Sequence, residues 1–292
     1  MENPSFNEVI SMTASIAILG DLHGHYTLAF TLLKRWEKET GKTLDAILQV
    51  GDMGIFPFPY ARIDETTKRF AEQDPDEISF QDYFNGTGDA VLFFEQGVFD
   101  KPLYFIRGNH EDFEFLANAE NSMGVVGVDH YRRFFYLADG AMTEVETNAG
   151  VLRVGGLGGL EQRNEKQEPW HFANNAYKRA LALSDIDILL THEPPADDKG
   201  SEKVRDLIRQ VQPTYHFCGH IHEQGRQLTA YGRTQSYLLN EVNFQGQRRL
   251  YPRGIGILDW NGKHDHSFSF LEEPWMQEYT RDNYRRKLQE LI

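Results

Sequence analysis

The stretch "TASIAILGDLHGHYTLAFTLLKRWEKETG", residues 13–41, sets the fold class. It opens as an apolar, β-branched run that stops at Gly20-Asp21. It continues with Leu28, Leu32, Leu33 and Trp36 at helical spacing, and Gly41 stands where a helix would stop. The unit is a short strand, a polar loop and a helix. The strand pattern returns four times: "TLDAILQVGD" (43–52), "KPLYFIRGNHE" (101–111), "IDILLTHEPP" (186–195) and "TYHFCGHIHEQ" (214–224). Short, nearly continuous apolar strands alternating with helical segments are strands covered on both faces, so the class is α/β.

Outside this rhythm, "MTEVETNAGVLRVGGLGGL" (142–160) reads as a hairpin about Asn148-Ala149-Gly150. "RGIGILDWNGKHDHSFSFL" (253–271) reads as a second, turning at Asn261-Gly262. Residues 55–95 form an aromatic-rich insertion with Phe56, Phe58, Tyr60, Phe70, Phe80, Tyr83 and Phe84. Helices are expected near 64–73 and 88–97. The insertion either packs as ordinary structure or rims a site. The tail, about 274–292, reads as an amphipathic helix packed on the body, with a dimer contact as the second reading. No Gly-, Ser- or Pro-rich linker and no internal repeat divides the chain, so residues 1–292 are expected to form one domain.

The 292 residues are 40% hydrophobic and 25% charged, an ordinary balance for a water-soluble globular protein. No apolar run is long enough to cross a bilayer. The first 21 residues lack the basic start of a signal peptide, and Cys218 is the only cysteine. A cytoplasmic location is the expectation. The net charge of −14 argues against a protein that mainly grips a nucleic-acid backbone.

The strand ends carry the chemistry. In order they deliver Asp21 and His23, Asp52, Asn109 with His110, His192, then His220 and His222. Residues two apart on extended chain share a face, so His220 and His222 can converge while Ile221 turns away. Open α/β sheets bind ligands beyond the carboxyl ends of their strands, which would gather all these groups. Alone, Asp21 and Asp52 would pass for turn or cap residues and His192 for a loop histidine. Together the imidazole, carboxylate and amide donors suit manganese, iron, zinc, nickel or cobalt. Seven donors exceed one cation's needs and suit two that share a carboxylate, the clamp used for displacement at phosphorus.

The ordered set "GDLHGH", "GDMG", "GNHE", "TH" and "GHIH" resembles the signature of the calcineurin-like metallophosphoesterase superfamily. The resemblance implies two mixed β-sheets packed face to face with helices outside. It implies that Asp21, His23 and His222 hold one metal, that Asn109, His192 and His220 hold the other, and that Asp52 bridges them. It implies attack by a metal-bound hydroxide, with His110 serving the leaving oxygen rather than a metal. His25, two residues past a ligand, and Arg107 and Arg163 are candidate substrate contacts. The remaining histidines read as structural. "GGLGG" (155–159) reads as a tight turn, since no Gly-Lys-Ser/Thr follows it.

Departures from the subfamilies narrow the substrate. Protein serine/threonine phosphatases carry G-D-x-x-D-R-G in the second motif, where this chain has Ile55 and no arginine. The set is closer to the phosphodiesterase and nuclease branches, including the lariat debranching enzymes, which typically carry cysteine at the position of Asp21. The expected activity is two-metal hydrolysis of small or nucleotide phosphodiesters. The alternatives are an RNA or DNA nuclease, debranching-like included, and a non-catalytic binding scaffold of the same fold.

Overall fold

A computed structural model describes residues 13–57, 63, 65–246 and 248–292. Phe58, Tyr60 and the first twelve residues, which the sequence reading touched, lie outside the described residues.

The chain begins with β1 (Ala14–Leu19), α1 (Tyr26–Thr40) and β2 (Ala46–Gln49). Gly41 ends α1 in the left-handed conformation at φ 68°, its N–H closing on the Glu37 carbonyl. The insertion supplies α2 (Glu65–Ala71), α3 (Phe80–Asn85) and α4 (Gly88–Ala90), the last running into a π-helical turn, Val91–Glu95. Then come β3 (Leu103–Phe105), α5 (Phe113–Ala119), β4 (Val125–Gly127) and β5 (Phe134–Leu137). The middle holds the hairpin β6 (Met142–Thr147) and β7 (Gly150–Leu157), then α6 (Asn174–Leu181), β8 (Ile188–Thr191), α7 (Glu202–Val211) and β9 (Tyr215–Cys218). Short strands β10 (Arg226–Gln227), β11 (Gln235–Leu238), β12 (Phe244–Gln245) and β13 (Arg249–Leu250) follow. The hairpin β14 (Ile255–Trp260) and β15 (His266–Phe270) precedes the last helix, α8 (Tyr284–Gln289).

Two mixed sheets result. One has seven strands in the order β15-β14-β1-β2-β3-β5-β4, the other six in the order β10-β11-β9-β8-β7-β6. Strands β1, β2, β3 and β5 run parallel, as do β7, β8, β9 and β11. Antiparallel strands close the edges. The period-2 alternation of side chains sorts the layers. On β1, Ile16 and Ile18 join Leu48, Leu190 and Phe217 between the sheets. Ala17 and Leu19 turn outward against Leu28, Phe30 and Leu33 of α1. The outer face of the second sheet puts Leu189 under Val204, Leu207 and Ile208 of α7. The double sheet implied by the family resemblance is present; the strand–helix rhythm alone gave only the α/β class.

The described part of the insertion has a buried portion and a portion at a cleft. Tyr83 and Phe93 are buried against Tyr26 and Phe30 of α1, with ring centroids 5.0 and 5.2 Å apart. Glu65 and Thr66 at the start of α2 instead reach the wall of a cleft. Helix α3 was not anticipated, because its six residues are too few to show a period. The tail is not one helix. A 3-10 turn, Pro274–Glu278, is separated from α8, and the Asn283 side chain accepts from the Thr280 N–H between them at 2.9 Å. Helix α8 packs on α1, and Arg281 and Arg285 pair with Asp74, Asp76 and Asp89 of the insertion. Among the described residues no helix is long and apolar enough to cross a membrane.

Candidate metal centre

Every predicted donor sits where a parallel strand has just ended. The loops after β1, β2, β3, β8 and β9 meet at one edge of the sandwich. Their backbone is bent to do so. His23, Asp52, His220 and His222 have φ of 41°, 53°, 73° and 44°, a region that side chains with a Cβ avoid. Only nine described non-glycine residues have positive φ, and four of them are in this cluster. Such strain, on the order of 1 kcal/mol each, persists where the surroundings demand a particular aim of the side chain. The glycines preceding donors are required by proximity. A Cβ on Gly108 would fall 2.0 Å from Asp52 Oδ1, and one on Gly219 would fall 2.2 Å from Asp21 Oδ1.

The donors form two groups with one member in common. Asp21, His23, Asp52 and His222 offer atoms within 4.8 Å of one another, and so do Asp52, His192 and His220. His222 Nε2 lies 2.9 Å from Asp21 Oδ2, and His192 Nε2 lies 3.0 Å from Asn109 Oδ1. Asp52 divides its two oxygens. Oδ1 accepts the backbone N–H groups of Asn109 and His110 at 2.6 and 2.8 Å. Oδ2 stands 3.7 Å from His23 Nε2 and 3.4 Å from His192 Nε2, between the two groups. All seven donors predicted from sequence are brought together. His110 lies beside them, its ring 5.3 Å from that of His23, on the wall of a cleft of about 900 Å3.

The electrostatics sort the imidazoles. Burial pushes His23 down to about 4 against the pull of Asp52. Burial, reinforced by His192, pushes His220 down to about 4 as well. Both rings are therefore neutral near pH 7 and offer a lone pair. Burial opposes charge on His192, but Asp52 outweighs it and the ring rises to about 9. A hydrogen bond to Asp21 lifts His222 to about 9. Burial likewise opposes charge on Asp52, yet His192 prevails and holds its carboxyl well below the usual range.

The donor set fits cations. His23 Nε2 is buried without any hydrogen-bond partner. A buried ring nitrogen left unpaired is costly, and a cation beside Asp52 Oδ2 would satisfy it. His192 donates Nδ1–H to the Val50 carbonyl at 3.0 Å, so Nε2 is the nitrogen that would face a cation once its proton is displaced.

Several supporting residues escaped the sequence reading. The Glu111 carboxylate accepts N–H groups from Met53, Ile55 and Gly108 at 2.9, 2.7 and 3.3 Å, tying the Asp52 loop to the Asn109 loop. Burial first and Asp52 next push its carboxyl up to about 8. Gln49, fully buried, donates to the Gly20 and Gly51 carbonyls and accepts from Gly51 N–H. The acid in "GNHE" and the polar Gln49 inside an apolar strand were the available signals. Glu111→Ala leaves three buried N–H groups unpaired, so it should cost about 3 kcal/mol or more at 1–3 kcal/mol each. A calorimetric melt checks this; an unchanged melting temperature contradicts the tie.

The three candidate substrate contacts do not join the cluster. His25 is buried, with Nδ1 2.9 Å from the Leu22 carbonyl and Nε2 2.9 Å from Asp74 Oδ2, so it links the first motif to the insertion. Arg107 is locked to Asp139 Oδ2 at 2.9 and 2.7 Å and to the Pro169 carbonyl at 2.9 Å. Arg163 pairs with Glu193 and the Gly200 carbonyl. Each is engaged within the protein. The turn at Gly158-Gly159 packs on Arg107, whose carbonyl accepts the Gly159 N–H at 2.9 Å.

A double sheet carries this histidine–carboxylate cluster at one strand edge, where its donors could hold metal cations. A family model described as calcineurin-like phosphoesterase matches residues 14–224, and the chain belongs to that family. It is 26% identical to a lariat debranching enzyme of Entamoeba histolytica, across 71% of this chain and 63% of that protein. The chain thus spans less than two thirds of that relative's length. A dimetal phosphatase from Danio rerio shares the fold with a TM-score of 0.50 at 12% identity, covering 89% of this chain and 99% of that one.

Proposed function

We propose that the protein hydrolyses phosphate esters with two transition-metal cations, and that its substrates are small or nucleotide phosphodiesters. The observation that carries this reading is Asp52 Oδ2 standing between two donor groups that five separate loops assemble. Asp21, His23 and His222 would hold one cation, Asn109, His192 and His220 the other, and Asp52 both. Such a pair supplies positive charge against the phosphoryl oxygens and acidifies water. His110, at the cleft wall, passes a proton to the departing ester oxygen. The nitrogen and oxygen donors suit manganese, iron, zinc, nickel or cobalt. The lone, buried Cys218 suits a reducing compartment such as the cytoplasm.

Metal-reconstituted protein should cleave bis-p-nitrophenyl phosphate. Inactivity on both that diester and p-nitrophenyl phosphate would overturn the reading. The similarity to a lariat debranching enzyme supports a second reading, a nuclease. Asp21 in place of cysteine and the net charge of −14 weigh against it. Digestion of linear and branched labelled oligonucleotides separates the two.

Cation loading should also release protons. His192 and His222 stay protonated up to about pH 9 in the protein alone. A cation has to displace those protons, so affinity rises with pH toward 9, about ten-fold per unit for each proton displaced. Calorimetric titration with manganese at pH 7 in two buffers of different ionisation heat should report about one proton released per cation, from His222 at one site and His192 at the other. Heats independent of buffer would contradict this.

A further inference from the structure

A cleft opens beside the cluster. Its volume of about 900 Å3 is room for a small ligand in an open cleft. Asn109 and His110 form part of its wall, so it is continuous with the proposed catalytic centre. The rest of the lining sets the rings of Phe56, Phe113 and Trp170 among the acidic side chains of Glu65, Asp112 and Glu114. Two of these rings are held in place, and the backbone of the third is pinned. Phe56 is buried. Phe113 lies 5.6 Å from the Arg107 guanidinium, which Asp139 locks in place. The Trp170 carbonyl accepts the Leu160 N–H at 2.9 Å.

We propose that this cleft is the leaving-group subsite, and that it takes a flat aromatic group, aryl or nucleobase, carried on a single phosphate. The proposal rests on the phosphoesterase reading above. Rings offer π-faces on which any planar group stacks, and rings fixed in advance lose little entropy on binding. The group in the cleft is the one whose ester oxygen lies on the His110 side. Hydrolysis breaks the P–O bond to that group and forms one to a water oxygen. One water proton ends on the departing oxygen, delivered by His110, and the other stays with the product phosphate. A long polyanionic chain is disfavoured as occupant by the net charge of −14.

The test uses phosphonates, which cannot be hydrolysed, so that binding is read apart from turnover. Methylphosphonate, benzylphosphonate and the phosphonate analogue of adenosine 5′-monophosphate are titrated calorimetrically into manganese-loaded protein. At least one aromatic ligand should bind about ten-fold tighter than methylphosphonate, and which one distinguishes an aryl from a nucleobase source. Trp170→Ala should abolish that ratio and Trp170→Phe should largely keep it. Equal affinity for all three ligands, or a ratio unchanged in Trp170→Ala, overturns the subsite. Failure of the hydrolase reading looks different: the aromatic preference persists while both p-nitrophenyl esters remain intact.

Discussion

Asp52→Asn should strip both cations from the protein under conditions in which the wild type retains them. Asp52 is about 1% exposed and its carboxylate is fixed by two backbone N–H groups on Oδ1. An asparagine that keeps those two bonds must place its carbonyl oxygen there. Its NH2 then occupies the place of Oδ2, between His23 and His192, and presents hydrogens where a cation needs a lone pair. A unit charge 4 Å away is worth about 4 kcal/mol at an effective dielectric near 20. Affinity should therefore fall on the order of 10³-fold for each cation, and activity with it. Elemental analysis after desalting checks this. Wild-type metal content in the variant would show that Asp52 is not shared.

His110→Ala should have the opposite signature. The ring lines the cleft and none of its atoms belongs to either donor group. Metal content should stay at the wild-type value while kcat falls by about 10²–10⁴, the usual worth of a placed proton donor. The loss should be greatest for esters whose leaving oxygen is basic and smallest for p-nitrophenolate, which departs without help. KM should barely move. A uniform loss across leaving groups, or a loss of metal, would place His110 in another role.

The metal-donor loops were readable because two local rules coincide there. The buried strands β1, β2 and β9 run into a glycine within two residues and the next polar residue is a donor, while β8 runs straight into His192. The glycine is needed because a Cβ would strike a donor from a different loop, as at Gly108 and Gly219. What stayed hidden depends on partners remote in sequence. His25 sits two residues past His23, yet its ring is claimed by Asp74, forty-nine residues on. Arg107 precedes "GNHE", and its donors go to Asp139 and two loop carbonyls more than thirty residues on. The tail's partners are as remote, since Arg281 and Arg285 pair with acids of the insertion about two hundred residues away. The face-to-face sheets could not be derived from local periodicity, which sorts each strand's faces without saying what covers them.

The central claim is that five loops hold two cations on either side of Asp52. A crystal of manganese-loaded protein, with data collected at an energy where manganese scatters anomalously, tests it most directly. Two anomalous peaks about 3.5–4 Å apart, one between Asp21, His23 and His222 and one between Asn109, His192 and His220, are the predicted result. A single peak remote from Asp52, or none in a sample that binds manganese in solution, would contradict it.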